Sequence, residues 1–499
     1  MNGLKNLMRK IIFFIFLLTT TLTFSQDYGD FPSIQKQKLL NDVEILYQGL
    51  DKFHSGMYWY TPKDIVDAAF AKVREKIDRD LNVLEFHKLV APLVALSRED
   101  HTLIKLPLNA RERIGKETRF LPLTIVFLDQ KMYGVFNGSE NAGLEIKGKE
   151  IESINGETPI EIVEKIGTFF SSDGFIKTVK YQDLAGFNFS RYYFYYYGVQ
   201  NSFKIKFRDK AEIFYLKSLT IPEINTNVES RNKDFVPAPI SDVLDFQILN
   251  NETAYLGLHS FDNSEIKKNT KDKNLKKFLE NSFKLIYENN IDNLIIDVSK
   301  NGGGTEGNEG LVYSYLGENY QKYLKVRAKT QKAILDNGVD KPLTLTTFGF
   351  LERVFVNKKM KDGSLERKQW IGYGLQAFKK ETKRKFDGKV YVIISPITYS
   401  GGSEFSNMVY SNTDAIFVGQ ETGGGYYGNT SGYGREVILP NSQIIVNIPA
   451  LQFMMNVRPK IPFGRGVIPH YKVVPTFEEY LSNTNAPLEF ILEKLAHVK

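Results

Sequence analysis

Between Ile34 and Ala95 the apolar positions recur every three or four residues, which predicts three amphipathic helices. Leu39, Leu40, Val43, Leu46 and Leu50 mark the first, Ile65, Ala68, Ala69 and Val73 the second, and Leu84–Leu96 the third. The run closes with Arg98, Glu99, Asp100, His101 and Thr102, after which Leu103–Leu106 reads as extended. His101 is thereby placed at a junction between elements, and spacing alone makes it a surface histidine at a helix end.

From Phe120 to Leu219 the pattern changes to short strands. Leu123–Phe127 and Met132–Phe136 predict a hairpin, followed by Gly143–Ile146 and by Ile151–Ile154 running into the turn Asn155-Gly156. A helix over Pro159–Phe170 follows, with the proline in its first turn where a missing N–H costs nothing. This order resembles a PDZ domain, which takes an extended peptide by strand addition. The aromatic run Tyr192–Tyr197 reads as packing between modules.

Residues 224–249 hold Pro237 and Pro239 with little apolar periodicity and read as a linker. Beyond them strands and helices alternate. Thr253–Leu258 predicts a strand, Lys276–Asn289 a helix, and Asn293–Val298 a buried strand leading into Asn301-Gly302-Gly303-Gly304; Glu306–Leu316 is helical again. Val390–Ile394 is a further strand, followed by Ser400-Gly401-Gly402, a helix over Ser403–Tyr410, a strand at Ala415–Val418 and the loop Gln420–Gly425. Such alternation is the grammar of a layered α/β fold. The charge runs of Lys329–Lys385 read as a solvated insertion, and strands return at Glu436–Leu439 and Gln443–Val446.

Composition narrows the function. At 499 residues the chain exceeds one ordinary core, and 42% hydrophobic residues suffice for several. Lys5, Arg9 and Lys10, the apolar run Ile11–Leu18 and the polar stretch ending at Gln26 have the order of a secretory signal peptide, with an apolar part too short to span a bilayer. The expectation is cleavage near Ser25 and a periplasmic or secreted protein. Without that leader the formal charge of +7 falls to about +4, which argues for neither nucleic acid nor an anionic membrane. No later segment is apolar for long enough to be a membrane helix. The absence of cysteine excludes disulfides, thiolate metal sites and thiol catalysis.

Ser400 is the candidate nucleophile, because a serine just past a buried strand, followed by glycines and a helix N-terminus, gains access and positive potential together. Three stretches in order, Asp297–Gly304, Thr398–Phe405 and Val418–Gly424, resemble the C-terminal-processing, or tail-specific, protease family, which includes the tricorn core. The resemblance runs from the helical module to about Thr476. It implies an α/β multidomain protein: a signal peptide at 1–25, an N-terminal helical module at 26–107, a PDZ-like β-rich domain at 119–222, and a ClpP/crotonase-like α/β catalytic domain at 240–480.

The family further implies a serine peptidase with Ser400 as nucleophile and an oxyanion hole from the N–H of Gly401 and of Gly302 or Gly303. The processing branch places a lysine base where Gly425 stands here, and no lysine occurs from Gly401 to Pro459, so that dyad is excluded. The tricorn-like branch uses a histidine in an Asp-x-His-Thr stretch. Asp100-His101-Thr102 resembles it with the acid one residue closer, Glu99 standing in the usual place, and this makes His101 the base. Asn429 or Glu421 would orient it. His470 stands where the family often has an aspartate, while His54, His87, His259 and His497 carry no motif and default to core or surface roles. The reaction needs no metal or organic cofactor, and the substrate would be a peptide or unfolded protein. Two alternatives remain at this stage: a non-catalytic peptide- or lipid-binding protein on the same scaffold, and a serine esterase.

Overall fold

The computed structural model describes residues 28–233, 242–330, 355–371 and 385–495. The leader at 1–25 lies outside the described residues, as does His497. Among the described residues no helix is long and apolar enough to cross a membrane.

A six-stranded sheet forms the centre of the C-terminal half. Its strands run in the order Leu244–Ile248, Thr253–Leu258, Asn293–Asp297, Lys389–Ile394, Ile416–Gly419 and Tyr471–Lys472, with the first pair antiparallel and the rest parallel. Thr253–Leu258 and Asn293–Asp297 are buried at every position, as strands covered on both faces must be. Successive side chains point to opposite faces, so Leu294 and Ile296 enter the large core beneath the helices Leu275–Glu288 and Gly401–Asn412, whereas Ile295 joins Tyr391, Ile393 and Ile491 on the other face.

An antiparallel sheet stands beside it, in the order Asn357–Lys359, Leu365–Arg367, Tyr323–Ala328, Leu451–Met455 and Gly428–Ser431. Two of these strands lie in the stretch read as a solvated insertion. Its described part is therefore a folded extension of the sheet, with Asn357, Leu365 and Arg367 buried; the rest of that stretch, 331–354 and 372–384, lies outside the described residues. The linker is corrected likewise, since Ile221–Arg231 is a helix with a Thr220/Glu223 capping box and Leu244–Ile248 is a strand.

The three expected N-terminal helices are Lys36–Phe53, Lys63–Lys76 and Val83–Ala95. They do not form a free-standing module. Leu103–Lys105 pairs with Ile445–Ile448, which pairs with Arg435–Ile438, so one strand from the N-terminal half joins a C-terminal hairpin in a shared sheet. Buried Asp42 strengthens the join by accepting the N–H groups of Asn441 (3.1 Å) and Ser442 (2.7 Å).

The middle unit is a five-stranded antiparallel sheet, Leu123–Leu128, Lys131–Asn137, Glu150–Ile154, Ser202–Phe207 and Ile213–Lys217, with helix Pro159–Ile166 against it. Gly143–Ile146 is a loop instead of a strand. The turn Asn155-Gly156 has both residues at positive φ, 52° and 87°, as a tight hairpin turn requires. The aromatic run lies on helix Asn188–Tyr197, whose Phe194 enters the N-terminal core and Tyr193 the middle core. At the Leu123–Leu128 edge the Gly186 N–H donates to the Ile125 carbonyl (2.7 Å), and Phe127 packs on Tyr181. The chain thus occupies its own sheet edge there, and a peptide could add only by displacing it.

Candidate active site

Two turns meet at the C-terminal ends of adjacent parallel strands, Asn293–Asp297 and Lys389–Ile394. Thr398 Oγ1 donates to the Val298 carbonyl (2.9 Å) and the Tyr399 N–H to the Asn301 carbonyl (3.0 Å), lacing the second turn to the first. Ser400 follows at φ 46°, ψ −122°, a conformation that a residue with a Cβ rarely adopts, and the helix Gly401–Asn412 begins immediately after it. Glycine is required on the facing side. A Cβ on Gly303 would lie 2.6 Å from Ser400 Cβ and 2.9 Å from Gly401 N, and one on Gly402 would lie 2.4 Å from the Asn301 carbonyl oxygen.

The N–H groups of Gly402, Ser403 and Glu404 are committed to the carbonyls of Tyr399 and Ser400. That of Gly303 donates to Asn301 Oδ1 (2.8 Å), which removes it from the two glycines considered as second oxyanion donor. The N–H groups of Gly401 and Gly302 make no hydrogen bond among the described residues.

His101 sits in the turn between helix Val83–Ala95 and strand Leu103–Lys105, half-buried, with a buried Nδ1 that has no hydrogen-bond partner. Its neighbours are held tightly. Glu99 Oε2 accepts the Thr430 N–H (2.8 Å), Asp173 Oδ1 accepts the Asp100 N–H (2.9 Å), and Thr102 Oγ1 lies 2.7 Å from His54 Nε2. His54 Nδ1 accepts the Gly56 N–H (3.1 Å), so the neutral ring carries its proton on Nε2 and donates it to Thr102; burial keeps it neutral, pushing its pKa down to about 3. The second oxygen of Asp173 accepts the Gly425 N–H (3.0 Å) from the glycine loop. Gly424 of that loop lies against the nucleophile turn, where its Cβ would be 3.4 Å from Ser400 N.

Electrostatics around the histidine are unusual for a buried place. Burial raises the carboxyl of Glu99 well above its usual range, with the Asp173 charge adding to it. Burial, Asp173 and Asp183 push Asp100 up to about 8. Asp173 is also raised by burial, but the charge of His101 pulls it back down.

Neither residue considered as orienting group reaches the histidine. Glu421 is held bidentate by Arg465 (2.7 and 2.6 Å) and accepts the Gly466 N–H (3.0 Å), so its carboxylate serves the loop. Asn429 donates to Glu404 (3.2 Å) and accepts from Ser431 (2.8 Å). His470 is structural as well, its Nδ1 accepting the Phe417 N–H (2.9 Å) and its ring stacking on Tyr410. Asp173 was not singled out in the sequence; its only local signal was the turn dipeptide Asp173-Gly174.

Beneath the nucleophile helix, fully buried Lys322 donates to Glu306 (2.6 Å), Glu309 and Glu404 (3.0 Å), while Tyr323 Oη donates to Glu404 (2.6 Å). Burial opposes the lysine charge, but the carboxylates outweigh it and hold the ammonium protonated. Oxygens of the three glutamates lie within 4.8 Å of one another, the spacing of a cation site, and Lys322 already supplies the positive charge.

A layered α/β sheet that presents a strained serine at a glycine-lined turn is an arrangement that a serine hydrolase can use. Residues 252–473 of the chain match the family model described as Peptidase family S41, which supports a serine-type peptidase. No curated protein matches it by sequence. Among solved structures it is similar to mature CPAF complexed with lactacystin, at a TM-score of 0.60 and 14% identity over 92% of this chain and 99% of that one. Mature CPAF alone gives a TM-score of 0.57 at 14% identity over 92% and 97%. A putative peptidase from Parabacteroides merdae is matched at a TM-score of 0.43 and 13% identity over 93% and 98%. At these identities the likeness to CPAF concerns the fold.

Proposed function

We propose that the protein is an exported serine endopeptidase in which Ser400 attacks the scissile carbonyl and His101 takes its proton. Export rests on the leader at 1–25. The observation that carries the mechanism is the strained Ser400 backbone, which a layered sheet, a facing Gly303 and a helix N-terminus jointly support. Strain of this kind persists only where its surroundings over-determine it, and it clusters at reacting groups.

In the first step Ser400 Oγ bonds to the carbonyl carbon while its proton passes to His101, a residue type suited to neutral pH. The oxyanion accepts hydrogen bonds from Gly401 and Gly302. Each such donor contributes about 3 kcal/mol to the transition state. Collapse of the tetrahedral adduct breaks the C–N bond, the imidazolium gives its proton to the leaving amine, and Ser400 is left acylated. Water then attacks the ester with His101 again as base, and the acid product leaves.

The substrate class proposed is a peptide or unfolded protein, and no step calls for a metal or organic cofactor. The middle unit is PDZ-like in its sequence order, yet its self-covered Leu123–Leu128 edge argues against peptide addition there. The test is cleavage of a denatured protein by the mature chain, with Ser400→Ala and His101→Ala alongside. The expected result is fragments from the wild type alone; cleavage that survives Ser400→Ala would overturn the proposal.

A further inference from the structure

We infer that Asp173, delivered by the middle unit, is the positioning residue for the base: its carboxyl fixes the backbone bearing His101 to the loop flanking Ser400. This rests on the Ser400/His101 reading above.

The geometry starts with the carboxylate's two bonds. Asp173 Oδ1 holds the residue before His101, and Oδ2 holds Gly425, so one side chain spans the base segment and the glycine loop. The segment carrying it is itself fixed. Gly174 N–H donates to the Arg98 carbonyl (2.9 Å), and Phe175 N–H to the Gly464 carbonyl (2.7 Å). A Cβ on Gly174 would lie 2.4 Å from Gly464 O, so the loop is wedged between the histidine segment and the end of the catalytic domain. Lys180 Nζ ties the following helix back to the Gly167 carbonyl (2.6 Å), and Gly186 anchors it on Ile125.

The chemistry points to the same residue. Each Asp173 oxygen accepts one backbone N–H and keeps lone-pair capacity, whereas His101 Nδ1 is buried without a partner. The other titratable and charged groups around this place are Glu99, Asp100, Asp183, Tyr60, Tyr399, Arg98 and Lys180. Glu99 is the rival: its Oε2 accepts the Thr430 N–H, and its buried Oε1 has no partner, but it makes no bond to the glycine loop at Gly425. The charge of His101 acts on Asp173, drawing its carboxyl back down against the rise that burial imposes. An anion beside the imidazole both sets its orientation and stabilises the imidazolium formed as Ser400 attacks.

Asp173→Asn keeps the shape and an acceptor for Asp100 while removing the charge. With a peptide substrate, kcat is expected to fall by about 100-fold or more with KM little changed. Loss of a neighbouring anion also disfavours the protonated base, so the acid limb of the pH profile should move to lower pH. A folded variant with wild-type kcat and an unmoved profile overturns the inference while leaving the Ser400/His101 reading intact. An inactive wild type would sink both. If Asp173→Asn does not fold, Asp173→Ser with added formate gives the readout: restored turnover supports the carboxylate's role, and none in a folded variant overturns it. Failure of both variants to fold assigns Asp173 to stability alone and also overturns the inference.

Discussion

At the scale of single residues, the site depends on backbone more than on side chains. Ser400 lies where only glycine is comfortable, and such a position costs roughly 1–3 kcal/mol. Alanine would keep that strain and glycine would release it, offset in part by glycine's greater freedom in the unfolded chain. Ser400→Gly should therefore be more stable than Ser400→Ala by about 1 kcal/mol in urea unfolding, although both are inactive. Equal stability, or a more stable alanine variant, would mean the turn is unstrained. The need for small residues was legible, since Gly302, Gly303, Gly401 and Gly402 sit in runs beside strand ends. The choice between Gly302 and Gly303 was not, because it turns on where Asn301 Oδ1 points. Asp173 was hidden for a different reason: its partners Asp100 and Gly425 lie 73 and 252 positions away, and no local pattern encodes such contacts.

Among the elements, the helix Gly401–Asn412 is the one whose placement decides the nucleophile's aim. It is buried at nearly every position, so it is held by its surroundings on all sides. Glu404, one turn from Ser400, joins Lys322, Tyr323 and Asn429 in a buried polar network. Removing the one ammonium from three carboxylates leaves uncompensated buried charge, for which the typical cost is about 3–5 kcal/mol. Lys322→Met should lose that much in denaturant unfolding and lose turnover with it; a variant of wild-type stability would show the network to be neutral. Strongly periodic elements such as Lys36–Phe53 and Thr253–Leu258 were legible to within a few residues. Leu108–Glu117 was not, since only Ala110 and Ile114 of its ten residues are buried and its pattern is correspondingly thin. The strands Asn357–Lys359 and Leu365–Arg367 were masked by charge, because Leu365 is their one apolar position and Lys358, Lys359, Glu366 and Arg367 leave no hydrophobic alternation to read.

Across the whole molecule, the proposed nucleophile and base come from distant parts of the chain, and the segments that carry them are joined because separate units interlock. Leu103–Lys105 enters a sheet with Ile445–Ile448, Asp42 grips Asn441 and Ser442, and the Asp173 loop fills the space between. Sequence order suggested three beads on a string; the hydrogen bonds tie all three together around the Ser400 and His101 segments. The account thus stands on Ser400 and His101 working together. The most direct measurement is fluorophosphonate labelling of the folded mature chain, followed by mass mapping, with Ser400→Ala and His101→Ala in parallel. The account predicts a single adduct on Ser400 in the wild type, none in Ser400→Ala and strongly slowed labelling in His101→Ala. Labelling at another serine, or labelling at Ser400 as fast without His101 as with it, would contradict it.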